Sequence, residues 1–250
     1  MHVESFGQTD VGRKRDHNED SFLCDDDMHL YVVADGVGGH AKGEVASREA
    51  IEQIQVWCVG NQDVVRAYEA NPNPEGLYHV RRMLESGIQS ACYMVHGMAE
   101  LDPDRKGMST TVSALLVAGN QVFIGQVGDS RVYLYRKGVA LQITEDHTLI
   151  NYKLKHGMIT AEQAAHAKGK NVITRAVGHK DYVQVDVFDM SAQPEDRFML
   201  CSDGLHGYLQ PGGVEKGMEG PMDVCAQGFI DFANARGGKD NITVVLVEVS

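Results

Sequence analysis

No run of about 18 apolar residues, the length a helix needs to span a bilayer, occurs anywhere in this chain. Its start, Met1-His2-Val3-Glu4-Ser5, lacks the basic and apolar regions of a secretory signal, so the cytoplasm is the expected compartment and no membrane partner is expected. Paired cysteines are missing as well. Cys24, Cys58, Cys92, Cys201 and Cys225 are scattered and never form Cys-x-x-Cys, which argues against a disulfide framework or a cysteine zinc site. They read as small core residues. Positive charge is scarce: 23 Lys and Arg stand against 35 Asp and Glu, a formal net charge of -12. That balance disfavours nucleic acid, which wants a basic surface, and suits sites that gather cations. Internal repeats, low-complexity tracts and Pro/Ser/Gly-rich linkers are absent too. One domain over residues 1-250 is therefore the expectation, with 43% hydrophobic content sufficient for a substantial core.

What is present is a succession of short β-rich runs: Ser21–Leu23, His29–Ala34, Thr111–Ala118, Gln121–Gln126, Val132–Arg136, Val183–Phe188, Phe198–Cys201 and Ile242–Val249. Tight turns such as Gly119-Asn120 predict antiparallel pairing. Two long helices interrupt the runs. One spans about Lys42 to Cys58 with Ala46, Ala50, Ile54 and Trp57 on one stripe; the other spans about Tyr78 to Leu101 with Val80, Leu84, Ile88, Ala91, Val95 and Met98. A third, after Pro221, carries Val224, Cys225, Phe229 and Phe232, and Asn71-Pro72-Asn73-Pro74-Glu75-Gly76 reads as a loop between helices. Antiparallel strands with grouped helices predict an α+β fold in which two sheets pack face to face under helical outer layers.

Three separate apolar strands end in, or begin after, an aspartate beside Gly or Asn: Leu30-Tyr31-Val32-Val33-Ala34-Asp35-Gly36, Phe198-Met199-Leu200-Cys201-Ser202-Asp203-Gly204, and Lys239-Asp240-Asn241-Ile242-Thr243-Val244-Val245. Strand tips are rigid, so several can aim carboxylates at one point, and such hard oxygen ligands select Mg²⁺ or Mn²⁺. A single Asp-Gly is more often a turn; three at equivalent strand ends are a pattern. A fourth, Val127-Gly128-Asp129-Ser130-Arg131, reads either as a hairpin turn or as another ligand. In Arg15-Asp16-His17-Asn18-Glu19-Asp20, Arg15 offers a planar fork for phosphate and Glu19 and Asp20 could join a metal cluster. Alone, that segment would read as a solvated turn.

Taken in order, Arg15-x-x-x-Glu19-Asp20, Ala34-Asp35-Gly36-Val37-Gly38-Gly39, Gly107-Met108-Ser109-Thr110-Thr111, Gly128-Asp129-Ser130-Arg131, Asp146-His147, Ser202-Asp203-Gly204 and Asp240-Asn241 resemble the bacterial form of the metal-dependent type 2C serine/threonine protein phosphatases, the PPM family. The resemblance runs from Asp10 to Val249. It implies a four-layer α/β/β/α sandwich, two antiparallel sheets flanked by helices, with metals between the sheet edges. By this resemblance Asp35 bridges two ions, Asp203 and Asp240 complete the first site, and Glu19 and the Gly36 carbonyl serve the second, partly through water. Asp129 would share a third, looser ion with Asp203, and Arg15 would bind substrate phosphate. Two tightly held Mn²⁺ or Mg²⁺ ions, phosphoprotein substrates, a cognate Ser/Thr kinase and a monomeric enzyme are implied.

In such a site two ions share a water, lower its pKa and present hydroxide in line with phosphorus, with no phosphoenzyme. A thiolate route is not available, because no cysteine has an arginine six positions later. Val37 stands where eukaryotic members of the family carry a histidine, leaving protonation of the departing alkoxide unassigned; His40 is the nearest candidate, with a structural histidine at a helix start as the alternative. By the same resemblance about 147-178 forms a flap beside the site. Within it Thr160-Ala161-Glu162-Gln163 reads as a capping box, and Lys168 and Lys170 could attract a phosphorylated partner. A phosphate-loop reading of Asp35 to Gly43 fails, since no Ser or Thr follows Lys42. A two-metal phosphodiesterase or nuclease would want a basic groove, and a pseudophosphatase acting as a binding module would have lost a ligand position, whereas every matched acidic position is present.

Overall fold

The computed structural model describes residues 1–37, 42–167, 169 and 172–250. His40, Lys168 and Lys170 lie outside the described residues. In chain order the strands are β1 (Val3–Asp10), β2 (Asp20–Asp25), β3 (Leu30–Val37), β4 (Ser109–Thr110), β5 (Val112–Ala118), β6 (Gln121–Val127), β7 (Arg131–Arg136), β8 (Val139–Gln142), β9 (Asp186–Ser191), β10 (Asp196–Cys201) and β11 (Ile242–Val249). The helices are α1 (Gly43–Gly60), α2 (Gln62–Ala70), α3 (Pro74–Leu101), α4 (Leu149–Lys155), α5 (Ala161–His166), α6 (Asp203–His206), α7 (Gly213–Gly217) and α8 (Met222–Ala235).

Alternation along β3 shows why the strands layer as they do. Leu30, Val32 and Ala34 pack with α1 and α3 residues such as Ile54, Leu84 and Ile88, while Tyr31 and Val33 turn the other way, towards Phe198, Val245 and Val247 of the opposite sheet. A strand buried on both faces reads as a continuous apolar run. One sheet has the order β1-β11-β10-β7-β8 and the other β2-β3-β5-β6-β9, with β4 paired to β3, and every pairing is antiparallel. α8 covers the outer face of the first sheet through Cys225, Ala226, Phe229, Ile230 and Ala233 against Met199, Val244 and Leu246. The result is the expected four-layer arrangement of two antiparallel sheets flanked by helices, and each fully buried aliphatic or aromatic side chain in it contributes about 1.5–3 kcal/mol.

Several local expectations shift. Pro74 does not belong to a loop but opens α3, where Asn73 accepts a hydrogen bond from the Gly76 amide at 2.9 Å and the proline occupies a first-turn position whose missing N–H costs nothing. Val224 is exposed rather than inward. The hairpin reading of Gly128-Asp129-Ser130 fails because β6 and β7 lie in opposite sheets, so this turn carries the chain from one sheet to the other. The capping box at Thr160 and Gln163 forms as expected. All five cysteines are free, and burial pushes the Cys58 and Cys201 thiols up to about 12, which suits inert core residues. Among the described residues no helix is long and apolar enough to cross a membrane.

Candidate metal centre

The tips of β3, β10 and β11 and the start of β2 meet at one edge of the sandwich. Asp35 is near the end of β3, opposite Asp20 in the β2 register; Asp203 opens α6 directly after β10, and Asp240 precedes β11. The glycines beside two of these aspartates are set by close approach rather than by turning. A Cβ on Gly36 would lie 2.3 Å from the Gly43 carbonyl oxygen, and one on Gly204 would lie 1.9 Å from the Asn241 oxygen. Only hydrogen fits between those backbones.

Hydroxyl groups fix the backbone around Asp35. Its N–H donates to Thr111 Oγ1 at 3.0 Å, while its carbonyl accepts from the Thr111 N–H at 2.9 Å and from Thr110 Oγ1 at 2.9 Å. Thr111 Oγ1 shares a further hydrogen bond with Ser130 Oγ at 2.7 Å, and the Gln126 side-chain amide donates to Gly128 O and Ser130 O. The Asp35 tip and the Asp129 crossover are thereby tied together. Asn241 performs a similar task for the arginine segment: its Oδ1 accepts from the Glu19 N–H at 2.8 Å, and its Nδ2 donates to the carbonyls of Val11 and His17, each at 3.0 Å. Arg15, half-exposed, donates from Nη2 to Asp240 Oδ2 at 2.8 Å and stands 3.8 Å from Glu19.

Asp20, expected as a ligand, is held through one carboxylate oxygen by two hydroxyl groups. Its Oδ2 accepts from Ser202 Oγ at 2.8 Å and Thr243 Oγ1 at 2.7 Å, so the buried carboxylate brackets β2 to the ends of β10 and β11. Thr111, Asn241 and Ser202 stand in the sequence motifs without a role assigned to them, and Thr243 was passed over; Asn241 and Ser202 each adjoin a strand-tip aspartate, whereas Thr111 and Thr243 carry no such signal. The sequence reading also passed over Glu44, whose carboxylate lies with His17 and Glu19 so that one ligand atom from each falls within 4.8 Å of the others.

Electrostatics describe a cluster short of positive charge. Asp35 is raised well above the usual carboxylate range, first by desolvation and then by the charges of Asp20, Asp203, Asp129 and Asp240. Desolvation raises Asp20 to about 7 and Asp129 to about 7, Asp203 adding its charge to both; Asp203 itself rises to about 6 through desolvation and then Asp240. Burying carboxylates side by side is costly unless cations accompany them. Asp35, Asp203, Asp129 and Asp240, near enough for their charges to raise one another, are hard oxygen donors of the kind that suit divalent cations, and among the described residues the ligand atoms that lie within 4.8 Å of one another are those of His17, Glu19 and Glu44. A cavity of about 460 Å³ opens beside Asp129 and Asp203, bounded by His206, Thr148, Ile150 and Leu154.

The family model described as Protein phosphatase 2C matches residues 9–231. The serine/threonine phosphatase stp of Listeria innocua is 38% identical over 253 residues, covering 99% of this chain and 96% of that protein. The Mycobacterium tuberculosis serine/threonine phosphatase PstP/Ppp superposes with a TM-score of 0.85 at 32% identity, covering 99% of each chain. A structure of the PstP catalytic domain in complex with 2 manganese ions gives a TM-score of 0.79 at 33% identity over 98% of this chain and 97% of that one.

Proposed function

We propose, from the premise that the chain belongs to the protein phosphatase 2C family, that it hydrolyses phosphoserine and phosphothreonine on proteins at the carboxylate cluster of Asp35, Asp203 and Asp240. The observation that carries this reading is the convergence of three strand-end aspartates, each locked by a close backbone approach or a hydroxyl network. Two Mn²⁺ or Mg²⁺ ions would be held by Asp35, Asp203 and Asp240 together with Glu19 and the Gly36 carbonyl, a pair supported by the PstP catalytic domain in complex with 2 manganese ions, and a third would be held by Asp129 with Asp203. When bound, those ions neutralise the cluster and acidify a water for attack on phosphorus near neutral pH.

The chain's own residues bind and orient. Arg15 spends part of its fork on Asp240, which holds the guanidinium at the mouth of the cluster with its remaining donors available to phosphate oxygens. Asn241, by fastening the backbone at Val11, His17 and Glu19, keeps the Arg15 segment in register with the strand tips. Thr110 and Thr111 prevent the Asp35 backbone from shifting as substrate charge arrives. His40 is our candidate for protonating the leaving alkoxide.

We further place the enzyme in the cytoplasm as a monomer, opposing a kinase that modifies the same proteins. Residues 1-250 would form a single catalytic domain, a reading supported by β1 pairing with β11 across the length of the chain. Phosphothreonine and phosphotyrosine peptides, offered with Mn²⁺, with Mg²⁺ and in excess chelator, test the activity. Rapid hydrolysis of phosphothreonine alone, abolished by chelation, is expected; undiminished turnover in chelator overturns the reading.

A further inference from the structure

We infer that His147 is a positioning residue that holds the Asp129 turn against the returning leg at Thr174 and Arg175, and so sets how tightly Asp129 retains a cation. This rests on the reading of Asp129 as a ligand. The grip is specific. The His147 backbone N–H donates to Gly128 O at 2.9 Å, and the Gly128 N–H donates back to His147 Nδ1 at 3.1 Å. One histidine therefore engages both polar groups of the residue before Asp129, sharing the carbonyl with the Gln126 side-chain amide. Gly128 has φ +97, and a Cβ there would lie 2.6 Å from Thr111 Cβ, so the turn has no substitute conformation open to a residue with a side chain.

Because Nδ1 accepts, the ring proton belongs on Nε2, which donates to Asp186 Oδ2 at 3.0 Å. Asp186 is in turn held by Arg175, whose Nη1 donates to Asp186 Oδ1 at 2.6 Å and lies 3.1 Å from His147 Nε2. The ring is buried, and desolvation, with Arg175 beside it, lowers the His147 pKa and keeps the neutral tautomer in place. Arg175 comes from the returning leg of the segment 147-178. That leg is stitched to the outgoing leg at His147 itself: Thr174 N–H donates to His147 O at 2.7 Å, Thr148 bridges Ile173, and Leu149 N–H donates to Val172 O at 2.8 Å. On the far side of Asp129, its carbonyl is 2.9 Å from His206 Nε2, and Ser130 is bound by Thr111. The Asp129 backbone is thus clamped before and after, and the clamp before it is the one that touches the returning leg.

The test uses purified full-length protein, Mn²⁺ as the probe and three variants. Residues that orient a ligand alter metal affinity by about 10–100-fold when removed. His147→Ala is expected to weaken the weakest Mn²⁺ event by about tenfold in titrations read by electron paramagnetic resonance, to lower kcat on a phosphothreonine peptide with KM little changed, and to lose protection of the Gly128 amide in hydrogen exchange. His147→Asn, whose Oδ1 can stand in for the Nδ1 acceptor, should recover most of that affinity. Arg175→Gln should fall between wild type and His147→Ala, since it loosens the ring without removing it. Unchanged Mn²⁺ affinity in folded His147→Ala, or a His147→Asn protein no better than His147→Ala, overturns the proposal. Asp129→Ala in the same titration separates the two layers: if it leaves the weakest event untouched, the ligand role of Asp129 fails, and the coupling to it fails for that reason rather than through His147. Should His147→Ala not fold, His147→Asn and Arg175→Gln decide by the same criteria.

Discussion

Asp35 sits where a lone ionised carboxylate is least comfortable, desolvated and surrounded by Asp20, Asp203, Asp129 and Asp240. The same negative field that would draw a cation to Asp35 makes it a liability without one. Asp35→Asn is expected to abolish Mn²⁺-dependent hydrolysis while leaving the metal-free protein at least as stable as wild type, because the amide relieves desolvation and repulsion together. Activity assays paired with thermal melts in chelator measure both halves; a variant that keeps turnover sinks the ligand role, and one that melts well below wild type sinks the electrostatic account. Arg15→Ala should raise KM for phosphopeptide more than it lowers kcat, since the phosphate is already charged in the ground state. A kcat effect at constant KM would instead assign Arg15 to the transition state.

Elements differ in how plainly they announce themselves. β3, β10 and β11 were legible because each is an apolar run closed by a polar punctuation mark, and the two long helices were legible because Ile54, Leu84 and Ile88 recur at helical spacing on one face. β1, reading Val-Glu-Ser-Phe-Gly-Gln-Thr-Asp, has no such run, and its strand character comes from pairing β11 along all eight residues. The crossover at Gly128-Asp129 was hidden for a related reason, since which sheet a strand joins is decided by tertiary pairing and not by its own pattern. Asp20's partners are further away still, 182 and 223 residues along the chain, so a ligand and a structural bracket look identical in sequence. The bracket can be tested. Thr243→Val deletes one of two hydrogen bonds to a buried carboxylate, which should cost about 1–3 kcal/mol in urea unfolding in chelator; a change near zero would mean that Asp20 is not carrying the contact between β2 and β11.

For the molecule as a whole, the carboxylate cluster makes stability depend on pH in a direction opposite to ordinary acid denaturation. Asp20 and Asp129 titrate at about 7 and Asp203 at about 6 in the folded chain, with Asp35 also raised, all through desolvation first. In the unfolded chain these groups return towards about 3.9. A folded pKa above the unfolded one means the native state binds more protons between the two values, so metal-free stability must rise as pH falls into that window. Two buried imidazoles oppose this: desolvation lowers His147, and lowers His206 to about 4, so protonating the unfolded chain below about 6.5 favours unfolding. From pH 8 to 6.5, however, the imidazoles of the unfolded chain become only about half protonated, which offsets part of the gain as the folded carboxylates take up protons. Metal-free protein should therefore gain about 1–2 kcal/mol over that interval, a rise of several degrees in Tm. Saturating Mg²⁺ should reverse the slope, because cations bind the deprotonated cluster and protons compete with them; at about 100 times Kd the ion adds about 2.7 kcal/mol, an increment that shrinks as pH falls. Calorimetry at pH 8.0, 7.2 and 6.5, with chelator and with Mg²⁺, reads both slopes. A metal-free Tm that is flat or falls across the interval would show that the folded carboxylates are already compensated by the protein alone, and that the cluster does not need a cation.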